Sequence, residues 1–138
     1  MEAVLDASVA LAWTLPDEGS ARAERFLARI SPESVLWVPA LWWYEIANAL
    51  TMAQRRRRMT EADCARAVAL YGMLPIGTDL DLNPAALSRF CILARQHSLS
   101  AYDAAYLELA QRRGVGIATL DRGLTLVARR AGLQVLAT

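Results

Sequence analysis

The sequence predicts an α/β fold in which a mostly parallel central sheet is covered by helices on both faces. Short apolar runs alternate along the chain with longer segments that repeat apolar residues at helical spacing. This alternation is typical of parallel sheets, because each crossover helix returns the chain to the same end of the sheet. At 138 residues and 55% hydrophobic content, the chain is expected to form one domain over residues 1–138.

The predicted strands are short apolar runs that end at a polar residue, at a proline or at a turn. They are separated by helical segments, so no two of them form a hairpin. One minor strand is expected near Ile76. The full set is Val4–Leu5, Val35–Val38, the minor strand near Ile76, Gly116–Leu120 and Val135–Leu136.

The predicted helices are bounded by capping residues, prolines and glycines. Ser8 is expected to cap a brief first helix, and Thr60 begins a capping-box pattern with Asp63. Asn83 followed by Pro84 is typical of a helix start, since proline fits the first helical position. The predicted helices cover Ser8–Trp13, Ala21–Ile30, Ala40–Arg55, the segment after Thr60 that carries Val68, Leu70 and Met73, Ala85–Gln96, the segment from Ser100 to Gly114, and Arg122–Arg130.

No segment is predicted to cross a membrane or to act as a signal peptide. The longest apolar stretch, Val35–Tyr44, is short and contains Pro39. Cys64 and Cys91 fall in helical segments without a CxxC pattern or a partnering histidine cluster, and the single His97 is assigned a structural or surface role. These features predict a cytoplasmic protein with reduced thiols.

The charge balance favours an anionic partner. All fifteen basic residues are arginine, lysine is absent, and the net charge is +1. Four acids discussed below are candidates for binding a cation, and setting them aside leaves fifteen arginines against ten acids. Arginine forms bidentate contacts to phosphate, so this surplus permits a nucleic-acid partner. The missing lysine argues against receiver domains and haloacid-dehalogenase phosphatases. The chain also lacks a GxxxxGK[ST] or GxGxxG loop, which argues against a nucleotide-binding fold.

Four acids occupy positions from which they are expected to gather at one metal site. Asp6 and Asp121 follow predicted strands, and the carboxyl ends of parallel strands share the edge of the sheet where sites form. Glu45 and Asp103 lie on the apolar stripes of predicted helices, where a carboxylate is costly unless a cation neutralises it. Two such acids in one small domain suggest that they share a cation.

Each of these acids also has a purely structural interpretation. Glu45 can extend outward to solvent from an aromatic-rich helix. Asp103 fits a capping box with Ser100, and Asp121 is placed to cap the helix that follows it. Asp6 fits a turn after a strand. The convergence of all four at one sheet edge, rather than any one of them, favours a shared site.

The composition of this site limits its chemistry. Carboxylate oxygens without clustered histidine or cysteine suit Mg²⁺ or Mn²⁺ rather than zinc. Such ions activate water and meet phosphate oxygens, so the natural reaction is phosphodiester hydrolysis. Two other acidic pairs, Asp17–Glu18 and Asp79–Asp81, fall in predicted loops and are expected to be solvated.

Four segments, taken in order, resemble the PIN-domain ribonucleases and in particular the small VapC-type toxins of bacterial toxin–antitoxin pairs. They begin at Val4, Glu45, Leu99 and Thr119 and run VLDASV, EIANAL, LSAYDAAY and TLD. The likeness covers essentially the whole chain. The ordered set of four is more specific than any single motif.

This resemblance implies a three-layer PIN-like fold with an acidic pocket. It implies that Asp6, Glu45, Asp103 and Asp121 are the catalytic and metal-binding residues, directly or through water. The implied activity is that of a Mg²⁺- or Mn²⁺-dependent endoribonuclease, which cleaves structured RNA such as transfer RNA through a metal-activated water. The implied partners are a second copy of the chain in a homodimer and a cognate antitoxin that threads a segment across the pocket.

Further residues are candidates for supporting roles. The hydroxyls of Ser8 and Thr119 are suited to orient a carboxylate or a metal-bound water. Arg55, Arg56, Arg57 and Arg58 form a candidate RNA-binding run, although a solvated helix end is the more usual meaning of such a run. Four tryptophans are divided between the core and a dimer interface or antitoxin groove: Trp13, Trp37, Trp42 and Trp43.

Two other hypotheses remain open on the sequence alone. One is a PIN-like nuclease of housekeeping RNA processing or DNA repair, and the other is a non-catalytic binding module whose acids only cap helices. A neighbouring gene for a DNA-binding antitoxin separates the toxin from the housekeeping nuclease. Metal binding and RNA cleavage separate both nucleases from the binding module.

Overall fold

The computed structural model describes all 138 residues and contains one four-stranded sheet. Its strands are β1 (Glu2–Leu5), β2 (Val35–Pro39), β3 (Ile76–Asp79) and β4 (Gly116–Ala118). They stand in the order β3-β2-β1-β4, and every neighbouring pair is parallel. All four strands therefore end at the same edge of the sheet, and the predicted α/β architecture is confirmed.

Seven helices connect the strands, and several begin at the predicted capping residues. Thr60 and Asp63 form the reciprocal capping box, with hydrogen bonds of 2.9 and 3.1 Å. Asn83 accepts the amide of Ala86 at 2.9 Å, and Pro84 is in the first turn. None of the helices combines the length and the apolar character that crossing a bilayer requires. They are α1 (Ala7–Thr14), α2 (Ala21–Leu27), α3 (Leu41–Arg55), α4 (Glu61–Met73), α5 (Pro84–His97), α6 (Ala101–Arg113) and α7 (Arg122–Arg130).

The middle of α6 is enclosed on all sides, and this helix organises the core. Seven consecutive residues, 104–110, are buried. The helix packs between α5 and the strands β1, β2 and β4. From α3, Trp42 is fully buried and meets Tyr71 of α4 edge to face, with ring centroids 5.5 Å apart. Because α6 starts at the carboxyl edge of the sheet, its first turn is positioned to contribute to a site there.

The predicted terminal strand at Val135–Leu136 is wrong. A single isolated bridge, between Ile117 and Val135, joins this segment to the sheet. Two backbone hydrogen bonds to Ile117, of 2.9 Å each, form this bridge, and three arginines from α2 and the turn after it also donate to backbone carbonyls of the segment. The donors are Arg22, Arg25 and Arg29, and the acceptors are the carbonyls of Ala137, Thr138 and Leu136.

Two elements are shorter than the sequence predicted. Helix α2 ends at Leu27 rather than at Ile30, because the chain tightens into short turns ahead of Pro32, and helical backbone is disfavoured before proline. Strand β4 ends at Ala118 rather than at Leu120. The backbone amides that follow it bond to side-chain hydroxyls instead of to a neighbouring strand.

A buried ionic cluster joins β3 to α5 and α6. Asp79, the last residue of β3, is buried and accepts two hydrogen bonds from Arg112, at 2.6 and 3.2 Å. Glu108 of α6 is only 3% exposed and accepts Arg112 at 2.8 Å and Arg89 at 2.9 Å. The prediction that Asp79 is solvated is therefore wrong, because two arginines of α6, Arg112 and Arg113, form ion pairs with it at the end of the strand.

Removal of Arg112 is expected to destabilise the fold strongly. Arg112→Ala leaves Asp79 with only the longer ion pair to Arg113, at 3.8 Å, and deprives buried Glu108 of one of its two cations, so we expect the free energy of unfolding to fall by about 3 kcal/mol. Urea denaturation measures this loss. The control is Arg66→Ala, since Arg66 pairs with Asp63 while its side chain is 71% exposed, and the expected loss is below about 1 kcal/mol. Equal losses in the two variants would contradict a special role for the cluster.

Candidate active site

The pairing of β1 with β4 brings the first and the last of the four candidate acids to one place. Asp6 directly follows β1, and its backbone amide donates to the carbonyl of Ala118 at the end of β4, at 3.0 Å. Asp121 is the third residue after β4 and immediately precedes α7. Both acids therefore lie at the edge of the sheet where the parallel strands end, as the sequence predicted.

The Asp6 carboxylate is held by two hydroxyls at a nearly buried position. The residue is only 7% exposed. Ser8 Oγ donates to Asp6 Oδ2 at 2.5 Å, and Thr119 Oγ1 donates to the same oxygen at 2.7 Å. The other oxygen, Oδ1, receives no hydrogen bond from the protein. Ser8 and Thr119 thus orient a carboxylate that keeps one oxygen available.

The same two hydroxyls connect Asp6 to the loop that follows β4. Ser8 Oγ accepts the amide of Leu120 at 2.9 Å, and Thr119 Oγ1 accepts the amide of Asp121 at 3.0 Å. The predicted role of Ser8 as a helix cap is wrong. Helix α1 already includes Ser8, Asp6 occupies the N-cap position without a capping hydrogen bond, and the Ser8 hydroxyl is used by the carboxylate and the loop.

Glu45 is half-buried near the start of α3, beside the buried face of that helix. The hydroxyl of Tyr106 donates to Glu45 Oε1 at 2.6 Å. Tyr106 belongs to α6 and is 1% exposed, so its ring is fixed by the core. The sequence indicated Tyr106 only as part of an apolar stripe. A tyrosine on a buried stripe needs a hydrogen-bond partner for its hydroxyl, and this need is the sequence signal from which a nearby acid could have been inferred.

Asp103 and Asp121 lie at the starts of α6 and α7. Ser100 Oγ accepts the amide of Asp103 at 3.1 Å, but the reciprocal bond from the Ser100 amide is not formed, so the predicted capping box is only half present. Asp121 Oδ1 accepts the amide of Leu124 at 2.7 Å, which confirms the structural interpretation of Asp121 as an N-cap. Asp103 is half-buried and Asp121 is exposed.

The four acids interact electrostatically with one another. Burial raises the pKa of Asp6, the two hydroxyl bonds oppose this, and the charges of Asp121 and Asp103 raise it further. Burial also raises the pKa of Glu45; the hydrogen bond from Tyr106 opposes this, and the charges of Asp6 and Asp103 raise the pKa further. The pKa of Asp103 is raised by burial and by the charge of Asp121. The acids therefore concentrate negative charge in one region, where a cation is stabilised.

The structure gathers these acids without placing three of them at ligand spacing. No group of three or more Asp, Glu, His or Cys side chains stands at the spacing that binding one ion requires. Separate hydrogen bonds hold Asp6, Glu45 and Asp121 to different parts of the fold. The negative charges of the four carboxylates also repel one another, which favours their separation. The acids therefore share one edge of the sheet without converging on one point.

The arginine run lies away from this edge. Glu45 and Arg55 are ten residues apart on α3, which corresponds to about 15 Å along the helix axis. Arg58 donates to both oxygens of Asp17, at 2.7 and 2.8 Å, and to Glu18 at 3.2 Å. The charge of Arg58 is thus balanced. Asp17 and Glu18 are exposed, as predicted, and each also forms an ion pair with Arg58.

The four tryptophans have different environments. Trp42 is fully buried, and Trp13 stacks against Phe26 beside the core. Arg113 lies over the ring of Trp37, 3.4 Å from its centroid. Trp43 is 42% exposed, which makes it the tryptophan most available to a partner surface.

Sequence comparison assigns the chain to a family. A model of the PIN domain matches residues 3–130. Ribonuclease VapC3 from Pyrobaculum aerophilum is 32% identical to this chain over 124 residues, which is 90% of this chain and 92% of that protein. The chain therefore belongs to the PIN-domain family. Within this family it is similar to the VapC-type ribonucleases, which confirms the resemblance drawn from the four motifs.

Solved structures share the fold. The crystal structure of PAE2754 from Pyrobaculum aerophilum matches with a TM-score of 0.67 and 24% identity, over 96% of each chain. VapC20 of Mycobacterium tuberculosis, described as a toxin that cleaves the sarcin–ricin loop, matches with a TM-score of 0.61 and 18% identity, over 92% of this chain and 95% of that one. A toxin–antitoxin complex from Klebsiella pneumoniae matches with a TM-score of 0.57 and 18% identity, over 86% of each chain. These similarities confirm the PIN-like fold.

Substitution of Asp121 separates its capping role from its charge. Asp121→Asn is expected to keep the metal-free free energy of unfolding close to that of the wild type, because asparagine and aspartate are nearly equivalent N-caps. Asp121→Ala removes the acceptor for the Leu124 amide and is expected to cost about 1 kcal/mol. Thermal denaturation in EDTA measures both. An asparagine variant as unstable as the alanine variant would show that the charge, and not the cap, stabilises α7.

Proposed function

We propose that the protein is a divalent-metal-dependent endoribonuclease toxin of the VapC type, formed by one PIN-like nuclease domain over residues 1–138. The observation that carries this proposal is the concentration of four acids at the ends of β1 and β4. Burial and neighbouring charges raise the pKa of Asp6, Glu45 and Asp103 there, so holding these groups ionised has a cost. Such a cost is typical of functional sites.

The contrast with other acids in the chain supports this proposal. Buried Asp79 and Glu108 are neutralised by arginines. None of the four candidate acids forms an ion pair with any arginine, although the chain contains fifteen. The lack of an arginine partner at Asp6, Glu45 and Asp103, which are buried or half-buried, supports a role for them in binding a cation from solution.

The donor set fits a hard divalent cation. All four side chains offer carboxylate oxygens, which suit Mg²⁺ or Mn²⁺. Asp6, with Oδ1 free of protein donors, is the central candidate ligand, and Glu45, Asp103 and Asp121 bind directly or through water. When bound, the ion supplies activation of water and neutralisation of the phosphodiester charge.

Three further side chains prepare the acids for this task. Ser8 and Thr119 fix the Asp6 carboxylate through Oδ2, and Tyr106 fixes Glu45 through Oε1. Tyr106 and Thr119 are buried, so they have little freedom to move. Carboxylates held in this way lose little entropy when a substrate arrives, which is the benefit of preorganisation.

We propose RNA as the substrate and the cytoplasm as the site of action. Structured RNA such as transfer RNA is the substrate class that the VapC resemblance favours. Arg55, Arg56 and Arg57 are proposed to add distant phosphate contacts, whereas Arg58 is committed to Asp17 and Glu18.

We propose a cognate antitoxin as the inhibitory partner and a homodimer as the assembled form. Unpaired carboxylates at the sheet edge suit an arginine supplied by an antitoxin, whose guanidinium pairs with two carboxylates at once. The toxin–antitoxin complex among the solved structures supports such a partner. For the dimer, Trp43, Tyr44 and Tyr102 are exposed aromatic residues of the kind enriched at protein interfaces.

RNA cleavage tests the proposed function. We expect wild-type activity to disappear in EDTA and to return with Mg²⁺ or Mn²⁺, leaving 5′-phosphate and 3′-hydroxyl ends because water is the nucleophile. Asp6→Asn should lower activity by more than about 100-fold, since it removes a candidate ligand. Sequencing of RNA ends, with purified protein and after induced expression, measures both results.

The matched control for this experiment is Glu33→Gln, which neutralises an exposed acid outside the site and should leave activity unchanged. Cyclic 2′,3′-phosphate ends, or full activity in EDTA, would contradict the proposal. Cleavage of one RNA species in growth-arrested cells supports a toxin, whereas trimming of many precursors supports a housekeeping nuclease.

Metal binding should raise the melting temperature. At one hundred times the dissociation constant, Mn²⁺ adds about 2.7 kcal/mol to the free energy of unfolding, or roughly 10 °C. The shift should shrink as the pH falls, because the raised pKa values of Asp6, Glu45 and Asp103 let protons compete with the ion. Asp121→Asn should weaken the shift. Thermal melts across a Mn²⁺ series measure this, and an unchanged melting temperature at millimolar Mn²⁺ would count against the site.

A further inference from the structure

A cavity of about 520 Å³ lies beside the acidic edge, and arginines from two helices line it. Arg122 and Arg129 come from α7, and Arg22 comes from α2. Thr125 adds a hydroxyl, and leucines form an apolar part of the wall. We call this feature the arginine cavity. Its volume is in the range of pockets that hold a small organic ligand, and it is larger than one phosphate group needs.

Helix α7 presents the cavity residues on one face. Its buried residues are Leu124, Val127 and Ala128, which pack toward the core. The residues that line the cavity repeat at intervals of three and four, which places them together on another face of the helix. These residues are Arg122, Thr125, Leu126 and Arg129.

No acidic side chain pairs with the arginines of the cavity, whose lining is completed by Thr138. None of Arg22, Arg122 and Arg129 takes part in an ion pair, unlike Arg58 and Arg112. A solvated helix face accounts for Arg122 and Arg129 taken alone. It does not account for Arg22, which is half-buried, belongs to α2 and lines the same cavity.

Arg22 is also held in place. Its Nε and Nη2 donate to the carbonyl of Ala137 at 3.0 and 2.7 Å. These bonds fix the guanidinium at the cavity wall, where no acidic side chain forms an ion pair with it. A cation that is fixed before binding loses less entropy when an anion arrives.

The arginine cavity adjoins the acidic edge of the sheet. Leu120 and Arg122 line the cavity and are the two chain neighbours of Asp121, while the Leu120 amide bonds to Ser8 beside Asp6. An anion in the cavity therefore lies next to the acids. Leu126 is 49% exposed and offers an apolar surface to a ribose or a base.

We propose that the arginine cavity binds the backbone phosphates of the RNA strand next to the bond that the acids cleave. This proposal rests on the proposed function, because that function supplies RNA as the anion. The acids repel phosphate unless a cation is present, whereas the cavity attracts it without one. The cavity thus holds the strand in register, and the acidic edge receives the neighbouring phosphodiester.

Binding of RNA without cleavage tests this proposal. The probe is a short fluorescein-labelled single-stranded oligoribonucleotide of mixed sequence, titrated in EDTA and followed by fluorescence anisotropy at several salt concentrations. The variant is Arg122→Gln with Arg129→Gln. The control is Arg95→Gln with Arg130→Gln, which lowers the net charge equally by changing two exposed, unpaired arginines outside the cavity. Arg130 even belongs to the same helix.

We expect the cavity variant to bind more weakly and to have a shallower salt dependence. For a single strand, losing two phosphate contacts reduces the slope of log affinity against log salt by about 1.4. The control should keep the wild-type slope. Equal effects of the two double variants would overturn the proposal, since only net charge would then matter.

A second measurement keeps this test separate from that of the proposed function. The cavity variant should retain the wild-type melting shift with Mn²⁺, because its four acids are unchanged, and this result also shows that it is folded. A wild type that cleaves RNA while both double variants bind alike overturns the cavity and leaves the nuclease intact. A wild type without metal-dependent cleavage, whose cavity variant alone loses RNA binding, overturns the nuclease and supports the cavity.

Discussion

The site depends on one buried carboxylate and the two hydroxyls that stabilise it. Burying the charge of Asp6 is unfavourable, and the bonds from Ser8 and Thr119 offset part of that cost. Thr119 is 113 residues away in the chain, so its bond to Asp6 forms only when β1 and β4 are paired. The same hydroxyls fix the loop that carries Asp121. The geometry of the acidic edge is therefore a consequence of how two parallel strands meet.

The protein treats its buried acids in two ways, and the difference reflects stability and function. Asp79 and Glu108 are enclosed with arginines, so the packing of α5 and α6 on the sheet leaves neither carboxylate as an uncompensated buried charge. Asp6, Glu45 and Asp103 have no such partners, and their raised pKa values record the cost of leaving them unpaired. Local instability of this kind is common where a fold must bind a ligand.

The net charge of +1 conceals two neighbouring regions of opposite sign. The acidic edge and the arginine cavity meet at residues 120–122, where the chain passes from the loop after β4 into α7. Under the proposed function, a polyanion that approaches this surface is attracted by the arginine cavity and needs a cation at the acidic edge. The affinity for such a polyanion is then expected to depend on the salt and divalent-ion concentrations, as is usual for proteins that bind nucleic acid.

The sequence by itself determined the order of the helices and of the four sheet strands and most of their boundaries. It also indicated which four acids lie at the carboxyl edge of the sheet. These features follow from local rules: apolar periodicity, capping boxes such as that of Thr60, and the tendency of sites to lie at strand ends. Tertiary structure decided which acids are paired, that Tyr106 holds Glu45, and that Arg22 joins Arg122 in one cavity. It also decided that residues 135–136 form no strand. Local patterns carry no information on these points, because each depends on side chains that are distant in the chain and become neighbours only when the helices pack on the sheet.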